Sequence, residues 1–100
     1  MKSSSKIAVE NVNVPGASTN VDAVKYGAIR EVLLRVLPTA PPGFTQAEML
    51  AAVRAGAPQD LFPGGEKSGW WAKTVQLDLE AKGIVVRDAK SKPLRWCRVK

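Results

Sequence analysis

The stretch Trp70–Val99, WWAKTVQLDLEAKGIVVRDAKSKPLRWCRV, decides the fold. Its first half has helical spacing. With Val75 set at zero and about 100° per residue, Ser68, Trp71, Ala72, Leu79 and Lys82 fall within about 60° of it. Trp71, Ala72, Val75 and Leu79 therefore face a core, and Lys82 can lay its stem along that core. The opposite face carries Trp70, Lys73, Leu77, Glu80 and Ala81, with Thr74 and Gln76 on its flanks. Gly83 stops the helix. Ile84, Val85 and Val86 are β-branched and read as a strand, DAKSKP as a turn, and LRWCRV as a second strand. Pro93 marks an edge or the exit of the turn. Alternation puts Leu94, Trp96 and Arg98 on one face of the last strand and Arg95, Cys97 and Val99 on the other. The stretch reads as a helix feeding a basic β-hairpin.

Charge singles out the same region. The net charge is +6. Residues 82–100 hold seven basic residues and one acid, Asp88, whereas residues 1–81 hold eight of each. The whole excess therefore lies in the last fifth of the chain. Such asymmetry fits an anionic partner: nucleic acid, an acidic protein or a membrane surface. The blander reading is a basic hairpin that only aids solubility.

Working outward, 100 residues make one domain with a small core. No apolar run reaches the roughly 18 residues of a membrane span, and MKSSSKIAVENVNV lacks the apolar centre of a signal peptide. The expected compartment is the cytoplasm. Cys97 stands alone, so no internal disulfide forms, and it reads as a small buried hydrophobe. With no histidine, the commonest general base and metal ligand are missing. GGEKSG, residues 64–69, echoes a phosphate-binding loop but has Glu66 where glycine should precede Lys67. Ser68 reads better as a helix N-cap. Lys67 and Ser68 point about 100° apart on a helix, and Asp78 and Glu80 about 200° apart, so neither makes a catalytic pair. The chain is expected not to be an enzyme and to need no cofactor or metal. Nothing in it indicates a small-molecule ligand.

Residues 1–20 read as an N-terminal arm, partly disordered and partly β, with Ile7, Val9, Val12 and Val14 as its apolar positions. Those four aliphatics are expected to dock on the body or on a second subunit. Residues 21–100 read as the folded domain. Its first helix starts near Val21, with Thr19–Asp22 as a loose capping box and Asn20 as a rival cap. Ile29, Val32, Leu33 and Val36 form its apolar stripe, and Pro38 ends it. Thr45–Glu48 is a full capping box for a second helix ending at Gly56, with Met49, Leu50 and Val53 facing inward. Leu61 and Phe62 in the following connection are expected to be buried, on a single helical turn, before the breaker Pro63-Gly64-Gly65.

Helix, Pro-rich turn, short helix, connection, longer helix and basic hairpin: over residues 21–99 this order resembles the winged helix-turn-helix fold. The segment LDLEAKGIVVRD, with Leu79, Lys82, Gly83, Ile84, Val85 and Arg87, resembles helix three and the wing of MarR-like regulators, and TQAEM fits the same pattern. The segments ENVNVPG, VDAVKY, FTQAEM, DLFPGG, GWWAKTVQLDLEAKG and PLRW resemble a small family of uncharacterised bacterial proteins. The expected fold class is mainly α with a small β-hairpin (α+β), a winged helix with three helices and a C-terminal wing.

That resemblance implies duplex DNA as the partner, a role in transcriptional regulation, and a homodimer as a candidate assembly. Lys67, Ser68, Lys73, Thr74 and Gln76 would contact DNA from the third helix, and Arg87, Lys90, Lys92 and Arg95 from the wing. The helix face departs from this picture, because Trp70, Leu77 and Glu80 are poor base readers, and because the connection before the helix is long. The alternative is a protein-interaction module using Trp70, Lys73 and Leu77.

Overall fold

A computed structural model describes residues 6–11, 13–14, 16, 18–40, 43–88, 90 and 92–99. They form an α+β arrangement of three helices and two small antiparallel sheets. Strands β1 (Lys6–Glu10) and β2 (Ser18–Asp22) pair with each other. Helices α1 (Ala23–Val36) and α2 (Gln46–Gly56) flank the short strand β3 (Phe44–Thr45). After a single 3-10 turn (Pro63–Gly65) come α3 (Ser68–Ala81) and strands β4 (Val85–Asp88) and β5 (Arg95–Arg98). None of the described helices is long and apolar enough to cross a membrane.

The arm is a hairpin. Ile7 pairs with Val21 and Val9 with Thr19. Val9 is buried and Ile7 packs on the core, while Val14 stays exposed; Val12 lies outside the described residues. Thr19 and Asn20, expected at a helix cap, are instead paired in β2. The boundary drawn at residue 20 falls inside that strand, which runs straight into α1. Asp22 alone caps α1, its carboxylate accepting from the Val24 and Lys25 N–H groups at 2.9 and 3.2 Å.

Helix α2 begins where its capping box predicts. The Glu48 N–H donates to Thr45 Oγ1 at 3.2 Å, and the Thr45 N–H donates to Glu48 Oε1 at 2.8 Å. Helix α3 starts differently from expectation. Ser68 is its first residue, not its cap, and its buried hydroxyl donates to the Gly65 carbonyl at 2.7 Å. Lys67 holds the cap position in a left-handed conformation, with no side-chain hydrogen bond. At the far end Ile84 N–H reaches Leu79 O at 2.9 Å and Gly83 N–H reaches Glu80 O at 3.1 Å. These two bonds, with Gly83 at φ +77°, close the helix as a Schellman motif and aim the chain into β4.

The core lies where the three helices meet. Ile29 and Leu33 from α1, Met49 and Val53 from α2, and Val75 and Leu79 from α3 are fully enclosed. Each such aliphatic contributes about 1.5–3 kcal/mol by leaving water. Trp71 and Ala72 are buried as their phase requires. Of the connecting pair Phe62 is buried and Leu61 half-buried, and the helical turn falls one residue later, on Pro63–Gly65.

The C-terminal hairpin is part of a three-stranded sheet ordered β3-β5-β4. Phe44 pairs with Trp96, and Val86 with Cys97. Because β5 is the central strand, Trp96 and Cys97 are both buried despite pointing to opposite faces. The Arg98 N–H extends the strand's bonding to the Pro38 carbonyl at 2.8 Å. Gly43 enters β3 at φ +90°, where the backbone of Trp96 leaves no room for a Cβ.

Candidate functional site

Both hairpins flank the outward face of α3 and divide it. On one side Trp70, Thr74 and Leu77 share a groove of about 240 Å³ with Val9, Val14 and Val21 of the N-terminal hairpin region. On the other side Lys73, Gln76 and Leu77 share a cleft of about 220 Å³ with Gln46, Arg87 and Trp96. Leu77 is the ridge between the two. Asn13 lines this second cleft and also a third, beside Glu80, Gly83 and Val86. Asn13 therefore lies between the C-terminal half of α3 and the other hairpin.

This division sorts the residues expected at the site. Lys67 and Lys73 on α3, and Lys90 and Lys92 in the C-terminal turn, are exposed. None of the four forms an ion pair among the described residues. Arg87 and Arg95 are engaged. Arg87 Nε donates to Glu80 Oε1 at 3.0 Å, and its guanidinium lies 5.6 Å from the centre of the Trp96 ring. Arg95 donates to the Gly43 carbonyl at 3.0 Å and lies 3.4 Å from Glu48. The Thr45 backbone N–H, the Thr45 hydroxyl and the Arg95 charge hold the Glu48 carboxyl below the usual glutamate range.

Gln76 is buried and donates to Glu80 at 2.8 Å while accepting from Gln46 at 3.3 Å, so it braces α2 against α3. Ser68 is likewise buried under the turn before α3. Thr74 is half-buried on the groove side, away from the C-terminal hairpin. The structure thus brings Lys73, Gln76 and Arg87 together and sets Ser68 and Thr74 apart from them. Asn13 and Gln46 join the cleft without having been singled out. Gln46 follows a legible capping threonine, whereas nothing in sequence ties Asn13 to α3.

The flank of α3 next to Thr74, turned toward the core, holds the feature sequence reasoning missed. Asp78 is fully buried, yet it accepts from three directions. Lys82 Nζ donates to both carboxylate oxygens, at 2.7 and 2.8 Å. The Tyr26 hydroxyl donates to Oδ2, and the Glu10 backbone N–H to Oδ1 at 2.8 Å. Burial, the hydrogen bond to Asp78 and its negative charge push the Tyr26 hydroxyl above its ordinary range. The signal was available: Asp78 sits about 60° from Val75, on the core side of the helix. Its role is to join α3, α1 and β1.

A family model matches residues 6–96, from the first residue of β1 into β5. The chain belongs to that family, a family of unknown function (DUF6958). The N-terminal hairpin, the three described helices and the C-terminal hairpin as far as Trp96 lie within the match, so the division of α3 into two clefts involves residues inside the family's span. No curated protein and no solved structure matches the chain.

Proposed function

We propose that the chain is a winged-helix protein that binds duplex DNA, gripping phosphates with α3 and the C-terminal hairpin, in the manner of a transcriptional regulator. The order of elements supports the fold reading. A short strand between the first two helices pairs with the last strand of a hairpin that follows the third helix, which is the sheet order a winged helix uses. One observation carries the binding reading: Lys67, Lys73, Lys90 and Lys92 are exposed and hold no ion pair among the described residues. Where Arg87 and Arg95 brace the fold, these four present unneutralised charge.

The same geometry favours phosphate contact over base reading. Ser68 and Gln76, the polar residues best suited to base edges, bond inside the protein. Asn13 lies beside the C-terminal half of α3. Recognition is therefore electrostatic, with modest sequence preference. The rival reading, a protein-interaction face of Trp70, Lys73 and Leu77, is divided by the two clefts: Leu77 is half-buried between them and Lys73 lies in the cleft opposite Trp70.

The test is fluorescence anisotropy with a labelled duplex at several salt concentrations. Four phosphate contacts give a log–log slope of about −3.6, or about a 100-fold loss of affinity between about 50 and about 200 mM salt. Lys73→Ala and Lys92→Ala should each reduce the slope by about one unit. No binding at the lowest salt, or an affinity indifferent to salt, would refute the proposal.

A further inference from the structure

The groove between the N-terminal hairpin and α3 is chemically unlike the rest of this basic protein. Its lining contains one ionisable side chain, Glu10, and no base. The Glu10 carboxylate forms no ion pair among the described residues, while its backbone N–H is held by Asp78. Beside it, two large apolar side chains stay open to solvent: Trp70 is 57% exposed and Val14 51%. Ser18, Thr19 and Thr74 also line the groove, and their hydroxyls make no hydrogen bond among the described residues.

These features specify a ligand by charge, shape and size. A carboxylate lining an apolar groove with an open indole favours a cation, which an aromatic face also attracts. The same carboxylate repels phosphate, so the groove is set apart from the lysine-bearing surfaces. Valine and leucine walls favour a hydrocarbon body, and the hydroxyls can bond an ammonium group. The volume, about 240 Å³, is below the roughly 300–1,000 Å³ of sites for drug-sized molecules. It suits one ring or a fused pair. We propose that this groove binds a small aromatic amine in its cationic form. Such a site is invisible in sequence because β1, its connection, β2 and α3 each supply part of the wall. The inference does not rest on DNA binding.

A matched pair of probes tests it: phenethylamine and phenylacetate share a ring and differ in the sign of their charge. Titrations of the full chain are followed by amide and indole chemical shifts. The amine should bind saturably, with shifts at Trp70, Thr74 and β1, and the carboxylate should bind at least about tenfold more weakly. Glu10→Gln, which keeps the backbone N–H that Asp78 holds, should remove that preference. Trp70→Ala should weaken the amine by about tenfold and leave the helical circular dichroism intact. If Trp70→Ala also perturbs folding, the charge preference in Glu10→Gln remains the deciding readout. Equal binding of the two probes to the native protein, shifts centred elsewhere, or no saturation would overturn the proposal. So would light scattering that shows a dimer in which Trp70 is covered by a second copy.

Discussion

Replacing Asp78 probes the joint between three segments that are far apart in sequence. In Asp78→Ala the Tyr26 hydroxyl and the Glu10 N–H both lose a charged acceptor. Lys82 loses its partner too, but its side chain is 34% exposed and can turn to water, so its share is small. Hydrogen bonds to a charged group contribute about 1.5–3 kcal/mol each. Two such bonds give a loss of about 3–6 kcal/mol, which overlaps the general cost of breaking a buried ionic contact by removing one partner. Against a total stability of about 5–15 kcal/mol, that is a fifth or more. For a domain of this length it corresponds to a fall in Tm of about 12–48 °C. Asp78→Asn should lose less, because an amide oxygen can still accept one donor. Urea unfolding followed by tryptophan fluorescence measures both variants, and a double-mutant cycle with Tyr26→Phe should show coupling between the two residues. An Asp78→Asn variant within about 1 kcal/mol of the native protein, with no coupling to Tyr26, would refute the argument.

Two further outcomes follow from the geometry. Gly43→Ala should destabilise the protein by more than about 2 kcal/mol, because its Cβ would lie 2.1 Å from the Trp96 carbonyl oxygen at a positive φ; chemical denaturation checks it. Tyr26, with its pKa raised in the folded state, gives stability that is full below its ordinary value of 10.0 and lost as pH rises beyond it. The stability difference between the native protein and Tyr26→Phe should therefore be constant at neutral pH and shrink above about pH 10, as measured by urea unfolding at several pH values.

The legible parts of the fold were those written in local pattern. The capping box of Thr45 and Glu48, the 3.6-residue phase of Trp71, Val75 and Leu79, and the terminating Gly83 each depend on neighbours within a turn or two. What escaped was set by partners distant in sequence. Thr19 and Asn20 have the chemistry of a helix cap, but pairing with β1 made them a strand and left capping to Asp22. The strand Phe44–Thr45, which makes β5 the central strand of its sheet, also went unseen, because two residues carry no period to detect. In the candidate site, the lysines expected at a surface are at the surface. Ser68 and Gln76 were misjudged because both side chains found partners inside the protein, which polarity alone does not reveal.

The carboxylate of Asp78 also imposes an order in time. It lies 68 residues beyond Glu10 and 52 beyond Tyr26. At a synthesis rate of about 5–20 residues per second, β1 leaves the peptidyl-transfer centre about 3–14 s before its acceptor is made. Through that interval the N-terminal strand pair lacks its attachment to α3, and Val9 lacks the helix it packs against. Strand β1, made well before α3, locks only once α3 is in place, and the groove shared by Val9 and Trp70 comes into being only at that step.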